Sequence, residues 1–236
     1  MWDRPDALTA IANFLYGVAA VALFYGVALV VIHLPVFPVR DVNVTGSLAH
    51  VTHAQLDAVV HRELRGNFFT ISLEASGEAF EKLPWVRQVR LRRQWPDRLD
   101  VTLEEHEALA RWGSEGLVNT HGEVFTAASD AHLPVFTGPI DVAPEIATQY
   151  ARFQTALSPL GRQVAEIQVS DRRAWRITLD DGMTLELGRD RVAERVEKFV
   201  AAYAVSIARM REAPRIVDLR YPNGFAVRVK TADNGA

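Results

Sequence analysis

Between Asp6 and Arg40 the chain carries no Asp, Glu, Lys or Arg, and from Ile11 to Ile32 nearly every residue is apolar or small. A helix rises about 1.5 Å per residue, so a run of this length spans roughly the 30 Å hydrocarbon core of a bilayer. The chain therefore divides into a membrane part and a more polar part, with a tail predicted over residues 1–9 and a transmembrane helix over 10–33. A cleaved signal peptide is the alternative. Its apolar core usually has roughly 7–15 residues, shorter than this run, which continues through His33 and Leu34 to Pro35 and Pro38. Trp2 is the candidate interfacial anchor on the short side, while Tyr16 and Tyr25 fall inside the run. Arg4 and the amino terminus stand against Asp3 and Asp6, so charge leaves the orientation open.

Several classes of function are excluded or unsupported. The 236 residues include no cysteine, which removes disulfide scaffolds, zinc–thiolate sites and cysteine nucleophiles. A formal net charge of -3 lacks the basic excess that a nucleic-acid partner usually demands. The seven histidines form no H-E-x-x-H pair, and His53 and His61 read as solvated positions on one helix. Glu104, Glu105 and Glu107 around His106 read as a strand end and interdomain linker rather than an acid–base pair. There is no glycine-rich phosphate loop or G-x-S-x-G elbow, and WGSEG at 112–116 lacks the spacing. No catalytic, cofactor-binding or metal-ligating residue is assigned, and neither an enzyme activity nor a small-molecule substrate is expected.

The polar part reads as α+β. Residues 39–45 alternate as a strand through Val42 and Val44; Thr52 and Gln55 form a capping box before Leu56, Val59, Val60 and Leu64; Gly66 and Asn67 end that helix. A second helix over 73–83 turns Phe80 inward and stops at Pro84. A strand over 85–94, a turn at Trp95, Pro96 and Asp97, and a strand through Leu99, Val101 and Leu103 follow. Beyond it, residues 117–125 suit a hairpin, and Pro144 opens a helix carrying Ile146, Tyr150, Phe153 and Leu157 that Pro159 and Gly161 end. Strands are predicted over 164–169, 175–179 and 183–187, the last two joined at Asp180, Asp181 and Gly182. A long amphipathic helix runs from Val192 to Ile207, with Arg209 and Arg211 near its end favourable for its dipole. Two strands, 216–219 and 225–229, close the chain around Pro222, Asn223 and Gly224. The second domain is thus α+β on a mainly antiparallel sheet.

Two surface features invite a partner. Arg87, Arg90, Arg92 and Arg93 fall within seven residues; pairing across a hairpin with Asp100, Glu104 and Glu105 accounts for most of this charge, and lipid headgroups are the alternative. The last strand alternates Phe225, Val227 and Val229 against Ala226 and Arg228, with little chain after it to cover an edge. It is either an edge strand able to accept a partner strand or an ordinary buried one.

The strand–helix–helix–strand–strand order, with LRGNFFTISL, LPWVRQVRLRRQWPDRLDVTLEEHEALARW and IVDLRYPNGFAVRV, resembles the FtsQ/DivIB family of bitopic cell-division proteins over essentially the whole chain. The resemblance implies a POTRA domain over residues 38–107, a family-specific β domain over 108–231, and a short tail over 232–236. It implies a single-pass type II protein of the inner membrane, its amino terminus cytoplasmic and its domains periplasmic, at the division septum. Its partners would be FtsB and FtsL, with further division proteins including FtsW, FtsI, FtsK and FtsN; its work would be to link early and late division proteins around septal peptidoglycan synthesis. The partner-binding residues implied are Tyr221 as an aromatic anchor, Gly224 for close backbone approach, Phe225 and Val227 along an added strand, and Arg172 and Arg220 as contacts to acidic partner residues. Beyond Gly224, where some members carry an aromatic residue, this chain has Arg228 and Lys230. The POTRA fold alone also suits an envelope chaperone or protein-transport component, but no barrel pattern follows it.

Overall fold

The computed structural model describes residues 5–34, 37–46, 48–114, 116–210, 212, 214–222 and 224–229. Trp2, Pro35, Arg211, Asn223 and Lys230 of the preceding reading lie outside them. Helix α1 is Pro5–His33, and within it Thr9–His33 has a mean hydropathy of 2.4 with none of its most apolar window buried against protein. It is one helix long and apolar enough to cross a membrane. The chain divides into two compact units, residues 1–105 and 106–236.

In the first unit, β1 is Asp41–Gly46, α2 His53–Glu63, α3 Leu73–Glu81, β2 Val86–Gln94 and β3 Arg98–Glu105. The sheet order is β1-β3-β2, with β1 parallel and β2 antiparallel to the central β3. Leu99, Val101 and Leu103 alternate into the core beside Leu56 and Phe80. The capping box starts α2 as expected: Gln55 N–H donates to Thr52 Oγ1 at 3.3 Å while Thr52 N–H donates to Gln55 Oε1 at 2.9 Å. Ser72 caps α3 through Ala75 N–H.

The arginine cluster is paired across the hairpin only in part. Arg87 meets Glu104 at 2.6 Å, but Arg93 donates to the Ile71 carbonyl instead, and Arg92 faces Asp100 in register with no ion pair to it among the described residues. Glu105 turns inward, because the chain crossing from β1 to α2 offers it a set of unpaired backbone donors. It accepts from the N–H groups of Ala49, His50 and Val51 and from His50 Nδ1, whose ring stacks on Trp85 at 3.7 Å.

The second unit holds β4 Ala108–Trp112, β5 Gly116–Asn119, β6 Val124–Phe125, β7 Val135–Thr137, α4 Ala143–Leu157, β8 Val164–Val169, β9 Trp175–Leu179, β10 Thr184–Gly188, α5 Val192–Tyr203, β11 Pro214–Asp218 and β12 Ala226–Val229. Among the described residues they form a nine-stranded sheet ordered β12-β11-β10-β9-β8-β7-β4-β5-β6. It is mainly antiparallel, with parallel pairs at β10–β11, β7–β8 and β4–β7. Strand register sets Phe136, Ile167, Ile177, Leu185 and Val217 side by side, all fully buried, and Val227 continues the row half-buried. Phe153 and Leu157 of α4 and Val196 and Phe199 of α5 join the same core. The opposite face carries Gln168, Arg176, Glu186 and Asp218 in the neighbouring row.

One expectation needs correction, and two strands were not anticipated. Helix α5 ends at Tyr203, and Ile207 reaches the core from a separate short 3-10 turn, Ile207–Arg209, so Arg209 does not lie in its last turn. Strands β4 and β7 lie in stretches to which the sequence assigns no element; β4 pairs antiparallel with the following β5, while its parallel pairing with β7, like that of β7 with β8, joins more distant segments.

Candidate functional site

The β11–β12 connection and α5 enclose a groove of about 430 Å³. Helical spacing aligns Glu194, Arg195, Lys198 and Ala202 on one side of α5, Arg191 stands just before the helix at φ +52, and Leu219, Tyr221, Pro222, Gly224 and Phe225 form the other wall. Three cations and one carboxylate thus border an aromatic and aliphatic floor. Tyr221 is 58% exposed, whereas Phe225, just ahead of β12, and Val227 within it pack against the core.

Arg220 is held by its neighbour two residues back. Its Nε donates to Asp218 Oδ1 at 2.8 Å and its Nη2 to Asp218 Oδ2 at 2.6 Å, with Arg220 N–H adding a third bond to Oδ1. The bidentate pair, chiefly through the guanidinium hydrogen bonds, holds the Asp218 carboxyl below the usual carboxylate range and raises Arg220 further above its own. Gly188, at φ +73, leaves room for this arrangement, because a Cβ there would meet Arg195 Nη1 at 2.8 Å and Arg220 Cγ at 3.2 Å. Arg195 in turn donates to the Leu187 carbonyl.

Arg220 also lines a second, more polar groove of about 630 Å³ with Gln168, Asp171, Arg176 and Glu186. Arg172 follows Asp171 in the β8–β9 turn, where it is exposed and has no ion pair or side-chain hydrogen bond among the described residues. Its neighbour Arg173, at φ +62, is engaged with Asp141 at 2.6 Å. Of the residues singled out from the sequence, the fold gathers Tyr221, Gly224 and Phe225 on the first groove and Arg220 on the second, sets Val227 facing the core, and places Arg172 in a separate turn beside the second groove. Sequence reasoning missed the α5 wall. Its only signal was the run of charges at helical spacing from Arg191 to Lys198, which is also what any solvated helix face shows.

At Gly224 a Cβ would meet nothing within 4 Å, and β12 ends the sheet with its outer side unpaired among the described residues. No group of three or more His, Cys, Asp or Glu side chains among the described residues is placed to hold a metal ion.

Residues 110–220 match the family model "Cell division protein FtsQ/DivIB, C-terminal", and residues 37–106 match "POTRA domain, FtsQ-type". The chain is 44% identical over 233 residues to cell division protein FtsQ of Nitrosospira multiformis, covering 97% of this chain and 99% of the relative. It is 38% identical over 235 residues to that of Burkholderia pseudomallei, covering 97% and 94%, and 31% identical over 229 residues to that of Neisseria gonorrhoeae, covering 97% and 95%.

Proposed function

The chain belongs to the FtsQ/DivIB family of cell division proteins, and from that premise we propose that it is a non-catalytic, single-pass scaffold of the inner membrane. Its amino terminus is cytoplasmic and both globular units are periplasmic. It captures the FtsB/FtsL pair at its carboxy-terminal strands and joins them to other division proteins, FtsW, FtsI, FtsK and FtsN among them, at the septum.

The observation that carries this reading is the conjunction of an edge strand, β12, with a groove that presents Tyr221 and the cations Arg191, Arg195 and Lys198 beside it. A strand added along β12 would satisfy its outer N–H and C=O groups, and a side chain at the added strand's start would reach the aromatic floor. Acidic partner residues have Arg191, Arg195 and Lys198 on one side and Arg220 and Arg172 on the other. Gly224 supports close approach, since none of the described residues fills the space a larger residue would take.

The test uses the full chain in cells. Tyr221→Ala and Gly224→Val should abolish co-purification with FtsB while circular dichroism and melting stay unchanged. Phe225→Asp is less clean, because Phe225 also packs against the core. Normal capture by folded Tyr221→Ala and Gly224→Val variants would overturn the reading.

A further inference from the structure

The end of the first globular unit that receives α1 differs in composition from the rest of that unit's surface. Strand polarity brings Asp41 of β1, Gln94 of β2 and Arg98 of β3 to this end. Four hydrogen bonds tie the helix exit to it. Arg40 N–H donates to the Asp97 carbonyl at 2.9 Å and Phe68 N–H to the Phe37 carbonyl at 2.8 Å. The buried Asn67 side chain donates to the carbonyls of Ile32 at 2.6 Å and Leu34 at 3.0 Å, groups that the end of a helix leaves without intrahelical donors. Arg93 anchors the following loop through the Ile71 carbonyl at 2.6 Å.

Among the described residues from 38 to 105, the large apolar side chains that stay exposed are Phe69, at 45%, and Trp95, at 79%. Both lie at this end, and Phe37 packs edge-on against Phe69 with ring centroids 5.2 Å apart. Strand register and chain position set Arg40, Arg92, Arg93 and Arg98 at this end with Asp41, Asp97 and Asp100, and Arg65 precedes the loop that carries Phe69. The contacts Arg98–Asp41 at 3.4 Å and Arg40–Asp97 at 4.0 Å are exposed pairs that leave a positive excess.

We infer that this face docks on the anionic surface of the bilayer that α1 enters, with Phe37, Phe69 and Trp95 at headgroup level and the arginines against lipid phosphates. Amphipathic aromatic rings partition to that level, and each cation near an anionic leaflet adds to the attraction. The face is continuous with the apolar helix, so the lipid surface is already within reach of it. The inference rests on α1 crossing the bilayer and is independent of which protein binds at β12.

The experiment reconstitutes the full chain in nanodiscs of phosphatidylglycerol and phosphatidylcholine brominated near the glycerol end of the acyl chains. Tryptophan quenching is compared between wild type and Trp95→Phe. Because the chain has no cysteine, Ala19→Cys carrying a spin label reports separately whether α1 is inserted. The expected result is quenching of the wild type that Trp95→Phe measurably reduces, the difference falling several-fold in phosphatidylcholine alone and in Arg92→Glu/Arg98→Glu. An inserted α1 with Trp95 unquenched in both lipids would overturn the inference and leave a protein partner for this face. Equal quenching in both lipids would overturn the role of headgroup charge. A label at Ala19 outside the bilayer would instead overturn the spanning reading on which it rests.

Discussion

Glu105 shows how one carboxylate can stabilise a fold without an ion-pair partner of fixed charge. Its side chain is only 6% exposed. Burial pushes its carboxyl up, but the N–H of Val51, the His50 ring and the N–H groups of His50 and Ala49 together outweigh that and hold it below the usual glutamate range. Glu105→Gln should therefore cost about 1.5–3 kcal/mol, the scale of hydrogen bonds to a charged acceptor, measured by chemical denaturation of the full chain. The sign of the pH dependence follows from the depressed native value. The contribution is complete above the unfolded glutamate's range, near pH ~4.3, and drains as pH falls through the lower native value. The variant should show a shallower loss of stability on acidification, and an unchanged acid limb would refute this account.

At the level of elements, Gly122 joins the β5–β6 hairpin to α4. It sits at φ +80, and a Cβ there would overlap the Pro144 backbone at the start of α4. Gly161 and Gly182 have similar positive φ but open space around them. Gly161→Ala should cost roughly 1–2 kcal/mol from the left-handed backbone alone, while Gly122→Ala should cost several-fold more in thermal melts because the hairpin or the helix must shift. Comparable losses from the two would count against the packing argument. The same contrast explains what was legible among the elements. Capping boxes, proline-led helix starts and alternating strands are local signals, and Thr52, Pro144 and Leu99 to Leu103 carried them. Strand β7 had none, because Phe136 is buried between β4 and β8, which pair with it from well separated segments of the chain.

At the scale of the molecule, each unit has its own core, centred on Phe80 in the first and on residues such as Phe153 in the second. Truncating either ring to alanine removes about 3–5 kcal/mol of transfer and cavity energy. In hydrogen exchange of the full chain, Phe80→Ala should lower protection over 41–105 and leave 164–188 unchanged, and Phe153→Ala should do the reverse. Loss across both units from either variant would show one cooperative body instead.

The apolar run that opens the chain decided by itself that a helix capable of crossing a membrane precedes a polar α+β body. Hydrophobic content and period suffice for that, because each residue's preference acts locally. The candidate site was legible only in its chain-terminal half, Arg220 to Val227, where turn residues and alternation coincide. That α5 supplies the cationic wall, that Phe225 faces the core, that Arg220 is locked by Asp218, and that Trp95 shares a face with the helix exit were decided by tertiary structure. Those placements depend on strand order and helix docking, which bring together groups far apart in sequence.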